Sequence, residues 1–163
     1  MEPSTLWPRE KTLLYPLLLE RAAALLAGET DAVANMANLS ALVWQALPDL
    51  NWAGFYRRMG AELVLGPFQG KPACVRIALG KGVCGTAAAN DTTIVVPDVH
   101  AFAGHIACDA ASRSEIVVPV HHAGRLTAVL DIDSPLYGRF TPEDREGLER
   151  FCAILEGSCD WRI

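Results

Sequence analysis

Three cysteines of this chain have neighbours that favour thiol chemistry over packing. Cys108 lies in the segment GHIACD at 104–109, among glycine, alanine and aspartate. Such small, partly polar surroundings allow a thiolate to form and a substrate to approach it. Most free cysteines are small buried side chains without a chemical role, but Cys74 and Cys84 also stand beside glycine-bearing turns. Three thiols at loop-like positions therefore indicate a reactive site.

The spacing of these cysteines favours redox chemistry over a metal centre. Cys74, Cys84 and Cys108 form no C-x-x-C pair, and the sequence has no H-x-x-x-H pattern, so we predict no metal site. Cys84 is expected in the first turn of a helix, whose dipole would lower the pKa of its thiol. His105, three residues before Cys108, is a candidate base or thiolate partner. A loop histidine that only bonds the backbone is the alternative.

Three carboxylates are candidates for the same site. Asp131 and Asp133 alternate along one predicted strand and therefore project from the same face, and Glu115 follows Cys108 by seven residues. Unpaired carboxylates are costly to bury. They either reach water at the end of the strand or hold a cationic ligand, and the sequence leaves both alternatives open.

Two aromatic residues share a face of another predicted strand. Trp52 and Tyr56 are four residues apart, with Gly54 between them. Such a pair usually belongs to the core. The glycine would leave a gap between the rings, however, and a strand can use such a gap to admit a flat or slender ligand.

Composition restricts the class of partner. The chain of 163 residues, 51% hydrophobic and 20% charged, suits a single domain at 1–163. A net charge of -5 without a lysine and arginine cluster argues against nucleic acid. The apolar run at 13–19 is far shorter than the roughly 20 residues of a membrane span, and no signal-peptide pattern is found, so a cytoplasmic protein is expected. Its five cysteines then begin as thiols, and Cys152 and Cys159 are assigned to packing.

Helices at both ends of the chain bracket a region of short strands. Asp31 is the expected N-cap of a second helix, and Thr141 with Pro142 begins a C-terminal helix. We therefore expect an α+β fold in which helices pack on a central antiparallel sheet of about six strands. The predicted helices are 8–28, 32–47, one beginning near 83, and 142–155; the predicted strands are 51–57, 62–67, 74–77, 93–96, 116–121 and 126–132.

Six blocks of the sequence form a pattern specific to one family: NWAGFY (51–56), LGPFQGK (65–71), ACVRI (73–77), GVCGTA (82–87), GHIACD (104–109) and LDIDS (130–134). In this order they closely resemble the free methionine-(R)-sulfoxide reductases, which are stand-alone GAF-domain enzymes. The resemblance implies a GAF-like fold and reduction of free, not peptide-bound, methionine (R)-sulfoxide. It also implies no bound cofactor and electrons from thioredoxin, hence indirectly from NADPH. Homodimers are common in the family, although the sequence itself does not specify an oligomeric state.

The resemblance further implies roles for individual residues. Cys108 matches the catalytic cysteine of the family, and Cys74 and Cys84 match its other redox cysteines. The family's substrate-binding carboxylates correspond to Glu115, Asp131 and Asp133.

Reduction of a sulfoxide needs a thiolate that attacks the sulfur and an acid that protonates the oxygen. We assign the thiolate to Cys108 and the acid to one of the three carboxyls, since three carboxyls in a partly closed pocket cannot all ionise cheaply. The others would hold the ammonium group of the substrate, and Trp52 and Tyr56 would pack against its methyl group. The sulfenic acid formed on Cys108 would condense with a second thiol, with Cys74 as the first choice and Cys84 as the second.

Two other functions are compatible with the same fold. GAF domains often bind cyclic nucleotides, tetrapyrroles or other small regulators without catalysis, and a thiol sensor would regulate a partner protein through its disulfide. Consumption of only the R epimer of free methionine sulfoxide, lost in Cys108→Ser, would distinguish the enzyme from both.

Overall fold

Four α-helices and six β-strands make up the part of the chain that the computed structural model describes, residues 7–106 and 108–162. Together they form the predicted α+β arrangement. The predicted domain 1–163 and the GHIACD segment each include residues outside the described part, namely 1–6, Ala107 and Ile163. In chain order the elements are α1 (Lys11–Leu26), α2 (Ala32–Ala46), β1 (Trp52–Met59), β2 (Glu62–Gly70), β3 (Arg76–Ala78), α3 (Gly82–Asn90), β4 (Ile94–Val96), a 3-10 turn (Val99–Ala101), β5 (Ser114–His122), β6 (Arg125–Ser134) and α4 (Pro142–Ser158).

The six strands form one antiparallel sheet in the order β3-β2-β1-β6-β5-β4. Ala123 and Gly124 connect β5 to β6 with positive φ angles of 52° and 75°, which is typical of a two-residue hairpin turn. Two of the boundaries that differ from the prediction lie beside Cys74. β2, predicted to end at 67, pairs with β1 as far as Gly70, and β3, predicted to begin at 74, begins only at Arg76, so that Cys74 lies in the connection between the two strands.

The sheet separates two hydrophobic cores, because successive side chains of a strand point to opposite faces. The first core lies between the sheet and helices α1, α2 and α4, and Phe55 and Leu130 are among its strand residues. The second core lies between the opposite face and α3, and it contains Tyr56 and Val117. Every residue that the sequence suggests for chemistry lies on or beside this second face.

Capping residues mark the starts of two helices as the sequence predicts. Asp31 accepts a 2.8 Å hydrogen bond from a backbone N–H in the first turn of α2, and Thr141 and Asp144 form a capping box at the start of α4. The buried stripe of α2 begins at Ala32, which leaves the next residue, Val33, 45% exposed. None of the helices in the described ranges has the length and apolar character needed to cross a membrane.

Gly147 of α4 has no room for a side chain, because a β-carbon there would overlap the ring of Tyr15 in α1. That ring is held in place, since its hydroxyl donates a 2.7 Å hydrogen bond to the buried carboxylate of Asp144. We therefore expect Gly147→Ala to lower the free energy of unfolding by about 1–3 kcal/mol, the usual cost of overpacking. Urea denaturation followed by circular dichroism measures this change.

Gly157, near the end of the same helix, provides the matched control. Apart from its chain neighbours and the backbone of its own helix, no atom of the described residues lies within 4 Å of a β-carbon built there. Gly157→Ala therefore changes only helix propensity and should raise the free energy of unfolding by up to about 1 kcal/mol. Equal effects of the two substitutions would contradict the tight packing of α4 on α1.

Candidate active site

Three carboxylates project from the second face of the sheet in two adjacent rows. In the first row, Trp52 of β1, Asp133 of β6 and Glu115 of β5 stand opposite one another. In the second row, Gly54 stands opposite Asp131. Only 6–8% of each carboxylate residue is exposed. The alternative that these residues reach water at the end of a strand is therefore wrong.

A cavity on this face brings together most of the predicted site residues. It contains about 530 Å³ of space not filled by atoms, part of it open to solvent. The predicted residues that line it are Trp52, Tyr56, Cys84, Cys108, Glu115, Asp131 and Asp133.

A disulfide bond joins Cys108 to Cys74, the remaining predicted residue, at the edge of this cavity. The two cysteines are 34 positions apart, and their Cα atoms are separated by 5.9 Å, an ordinary distance for a disulfide. Cys74 lies in the connection between β2 and β3, and Cys108 lies in the long connection before β5. Cys108 is exposed and Cys74 half-buried, so the bond is within reach of an external reductant.

Cys84 differs from the other two cysteines because it is a buried free thiol. It is the third residue of α3, as predicted, and its Sγ lies 4.0 Å from Oε2 of Glu115. Burial raises the pKa of this thiol, and the negative charge of Asp131 raises it further. The prediction that the helix dipole lowers the pKa of Cys84 is therefore wrong, and this cysteine remains a thiol at neutral pH.

Burial also raises the pKa of each of the three carboxyls. For Glu115 and Asp133 the charge of Asp131 adds to this effect, and both pKa values lie well above the usual range. For Asp131 the effect of burial is opposed by hydrogen bonds that its carboxylate can accept from Glu115, Cys84 and Asp133 when these groups carry protons. Asp131 is thus the carboxyl that ionises most readily, and the other two retain protons.

Phe68 of β2 fills the space beside Gly54. A β-carbon at position 54 would overlap the Cβ of Phe68, and the Phe68 ring stacks on Trp52 with 5.1 Å between ring centroids. Trp52 and Tyr56 also stack on each other, at 5.8 Å. The prediction that Gly54 leaves a gap for a ligand between the two rings is therefore wrong.

The polar atoms of the two rings hold the connection that carries Cys74. The indole N–H of Trp52 donates to the carbonyl oxygen of Lys71 (3.1 Å), and the hydroxyl of Tyr56 donates to the carbonyl oxygen of Cys74 (2.9 Å). Both rings line the cavity while almost fully buried. They form one wall of the cavity and position one half of the disulfide.

His105 lines the same cavity beside Glu115. Its Nε2 atom lies 3.9 Å from Oε1 of that carboxyl. Burial lowers the pKa of His105, with a smaller contribution from the charge of His100, so its imidazole is mainly neutral at pH 7. A neutral ring has one N–H donor and one acceptor nitrogen, and its tautomer decides which of them faces Glu115; the role of His105 as a base stays a prediction.

Asn51 is a site residue that the sequence reasoning missed. Its side-chain amide donates to Oδ2 of Asp109 (3.0 Å) and to Oγ of Ser112 (2.9 Å), and its backbone N–H donates to the carbonyl of Asp133 (3.0 Å). Asp109 and Ser112 belong to the segment that follows Cys108, and both line the cavity. Asn51 therefore ties this segment to the sheet. Its position as the first residue of the NWAGFY block was the available signal.

We expect Asn51→Ala to loosen the segment 108–113. The substitution removes two side-chain hydrogen bonds worth about 1 kcal/mol each, so opening of the segment should become about 30-fold more frequent. Faster amide hydrogen exchange in this segment, measured by mass spectrometry, is the expected result. Asn38→Ala, at an exposed position of α2, is the control, and equal exchange in both variants would show that Asn51 does not anchor the segment.

Comparison with known proteins yields one domain family and a set of similar curated sequences. The model of the GAF domain matches residues 18–158. The chain is 56% identical over 146 residues to the free methionine-R-sulfoxide reductase of Escherichia coli, covering 90% of this chain and 88% of that protein. It is 47% identical over 140 residues to the protein of the same name from Saccharomyces cerevisiae, covering 81% of this chain and 78% of the yeast protein.

Solved structures with substrate are also similar to this chain. The structure of fRMsr of Staphylococcus aureus in complex with substrate is 51% identical, with a TM-score of 0.85 over 88% of this chain and 94% of that one. The free methionine-R-sulfoxide reductase from Neisseria meningitidis in complex with its substrate is 45% identical, with a TM-score of 0.90 over 93% and 91% of the two chains. The likeness thus extends over most of the chain in sequence and in structure.

Proposed function

The chain belongs to the GAF-domain family and, within it, to the free methionine-R-sulfoxide reductases, and on this premise we propose how its cavity performs the reaction. The enzyme reduces free methionine-R-sulfoxide to methionine. The observation that carries the proposed mechanism is the disulfide between Cys74 and Cys108 at the edge of a cavity with three buried carboxyls. It supports a redox cycle between these two thiols.

Cys108 is the nucleophile of the proposed cycle. In the reduced enzyme its thiolate attacks the sulfur of the sulfoxide while a carboxyl proton is transferred to the oxygen. This attack forms a bond between Sγ of Cys108 and the substrate sulfur. The hydroxyl then passes from the substrate sulfur to Sγ as the S–S bond breaks, so methionine leaves with the electron pair of that bond and Cys108 is left as a sulfenic acid. The thiolate of Cys74 attacks the sulfenic sulfur, which releases water and forms the disulfide. Cys108 is the better candidate for the first attack because it lines the cavity and is exposed.

The acid of the first step is one of the carboxyls that retain a proton, and we assign it to Glu115. Burial and the charge of Asp131 raise the pKa of this carboxyl, which favours the protonated form that a general acid needs. Asp131, which ionises most readily, binds the ammonium group of the substrate. Asp133 stands opposite Glu115 in the sheet and completes the acidic wall. Methionine residues within a peptide lack a free ammonium group, which explains selection of the free amino acid.

Trp52 and Tyr56 provide the apolar side of the substrate site. Their stacked rings line the cavity next to the row that carries Asp133 and Glu115. The thioether methyl group of the substrate packs against them, so that one sulfoxide epimer directs its oxygen to the acidic wall. The proposed cycle uses only side chains of this chain and an external reductant, so it requires no bound cofactor.

We further propose that thioredoxin reduces the disulfide, with NADPH as the indirect source of electrons. Two hydrophobic side chains near the disulfide support this, since Val75 is 62% exposed and Ile106 is 39% exposed. An exposed disulfide between apolar side chains offers a docking surface for a protein reductant, and thioredoxin is sufficiently reducing. The cycle therefore suits a reducing compartment such as the cytoplasm. The homodimer implied by the family resemblance stays a prediction.

The function is tested by adding chelator-treated, reduced enzyme to a mixture of the two epimers of free methionine sulfoxide. We expect the R epimer to be consumed and the S epimer to remain. N-acetyl-methionine sulfoxide, which lacks the ammonium group, should react at least about 100-fold more slowly, as expected when a buried carboxylate loses its partner. Equal consumption of both epimers, or of the acetylated compound, would contradict the proposed substrate site.

A further inference from the structure

We propose that Cys84, Glu115 and Asp131 form a binding site for a divalent cation of the zinc class, and that the bound ion excludes the sulfoxide substrate. The metal site is inferred from the geometry of this chain alone. The inhibition rests on the proposed function, because it requires the substrate to use the same carboxyls. A thiol together with two carboxylates suits Zn²⁺, which binds sulfur and oxygen ligands.

The geometry of the three side chains is close to that of a metal site. They come from three different elements, α3, β5 and β6, and their sulfur and oxygen atoms all lie within 4.8 Å of one another. Sγ of Cys84 is 4.0 Å from Oε2 of Glu115. With Zn–S and Zn–O bonds of about 2.3 and 2.0 Å, two ligands of a tetrahedral ion are separated by about 3.5 Å. The Cys84–Glu115 pair must close by about half an ångström, and a pair at the 4.8 Å limit by at most roughly an ångström more than that pair, which side-chain rotation can supply.

A second observation points to a cation at this place. Oδ1 of Asp131 is buried in the wall of the cavity and has no hydrogen-bond partner among the described residues. No lysine or arginine in the described ranges forms an ion pair with Glu115 or Asp131. A buried acceptor without a donor is costly. In the free enzyme a proton on Glu115 can supply a donor for Oδ1 of Asp131. A divalent cation can take the place of that donor by coordinating the oxygen directly.

The three ligands are available while the other two cysteines are oxidised. Cys84 is a free thiol in a structure where Cys74 and Cys108 are joined. Metal binding to the disulfide form therefore cannot be attributed to the two redox thiols. The ion would occupy the position that we assign to the ammonium group of the substrate, so metal and substrate would compete.

Cobalt and zinc binding to the oxidised enzyme test the site directly. Co²⁺ should produce a sulfur-to-cobalt charge-transfer band, and calorimetry should detect one Zn²⁺ per chain. In Cys84→Ser the band should disappear and the dissociation constant of Zn²⁺ should rise at least about tenfold, because a zinc–thiolate bond is lost. Cys159→Ser removes another free thiol far from the cavity and should change neither result. No binding, or equal binding by Cys84→Ser and the unmodified chain, would overturn the proposal.

A single-turnover experiment tests the inhibition. The enzyme is reduced, freed of reductant and mixed with methionine-R-sulfoxide at increasing Zn²⁺, and methionine formation is compared with the metal-free rate of the same variant. We expect half-inhibition to need more Zn²⁺ at higher substrate concentrations, and at least about tenfold more in Cys84→Ser. Zn²⁺ binding that does not compete with methionine-R-sulfoxide would overturn the proposal that the ion and the substrate occupy the same position. Failure of the reductase itself would appear separately, as absence of methionine in the metal-free reaction.

Discussion

Cys108→Ser is expected to lower the turnover of free methionine-R-sulfoxide by at least about 10³-fold, because loss of an activated nucleophile removes the whole covalent route. A serine hydroxyl at this exposed position has no thiolate character and cannot form a sulfenic acid. The measurement is methionine released per minute by the enzyme with excess reductant. Circular dichroism should show an unchanged fold, since the side chain contributes to neither hydrophobic core.

Cys74→Ser separates the attack by Cys108 from the formation of the disulfide. It retains the nucleophile, so each chain should release one methionine and then stop, with the sulfenic acid of Cys108 detectable by a dimedone-type probe. Cys159→Ser should behave like the unmodified enzyme. If Cys74→Ser continues to turn over and a double variant with Cys84→Ser does not, Cys84 resolves the intermediate instead. Full activity of Cys108→Ser would falsify the proposed assignment of the nucleophile.

Glu115→Gln is expected to lower kcat by about 10²–10⁴-fold, the usual contribution of a general acid. The amide keeps the shape and can still donate a hydrogen bond, but it cannot transfer a proton to the sulfoxide oxygen. Since the acid must be protonated, kcat of the unmodified enzyme should fall as the pH rises through the raised pKa of Glu115. This alkaline decline should be absent in Glu115→Gln.

Two further variants separate the roles of the carboxyls. Asp131→Asn should mainly raise KM, because Asp131 is assigned to the ammonium group, and Glu149→Gln on the far helix α4 should change neither constant. A fall in kcat that is larger in Asp131→Asn than in Glu115→Gln would exchange the two assignments. Both constants come from initial rates at several substrate concentrations.

Glu115→Gln should affect stability in the opposite direction to activity. The pKa of Glu115 is higher in the folded than in the unfolded chain because of burial and the charge of Asp131. Between these two pKa values the folded chain therefore binds one more proton than the unfolded chain. The free energy of unfolding falls as the pH rises from the lower pKa of the unfolded chain to the higher pKa of the folded chain. A glutamine side chain does not titrate, so the variant should match or exceed the unmodified enzyme in unfolding free energy at neutral and higher pH. Urea denaturation at several pH values tests this.

Local patterns were sufficient to predict an antiparallel sheet of about six strands, two of its hairpins and several residues of the site. Alternation along β6 predicts that Asp131 and Asp133 share a face. The turn at Ala123 and Gly124 predicts that β5 pairs with β6, but a register shift between Val120 and His121 is also needed to place Glu115 opposite Asp133. Capping residues likewise predict the starts of α2 and α4. These features depend on neighbours within a few positions of the chain, which is the range that periodicity can report.

Contacts between distant segments were not predictable. Phe68 fills the space beside Gly54, and Asn51 reaches the segment after Cys108, but neither contact leaves a local pattern. For Cys84 the helix dipole, worth about 0.3–1 kcal/mol, was the only visible influence. Burial next to carboxylates from two other elements is a larger effect, up to several pKa units. It therefore decides the pKa of this thiol, and the same proximity creates the cation site that cysteine spacing does not reveal.

The two cores on opposite faces of the sheet keep the reacting residues apart from the packing that stabilises the fold. Of the described residues that line the cavity, none belongs to the first core, which joins the sheet to α1, α2 and α4. Each catalytic cycle breaks and re-forms a covalent link between two surface connections, while the packing behind the sheet takes no part. Irreversible over-oxidation of Cys108 to a sulfinic acid would therefore leave an inert but folded molecule. Oxidative damage at Cys108 would thus abolish the activity of this protein before it unfolds the chain.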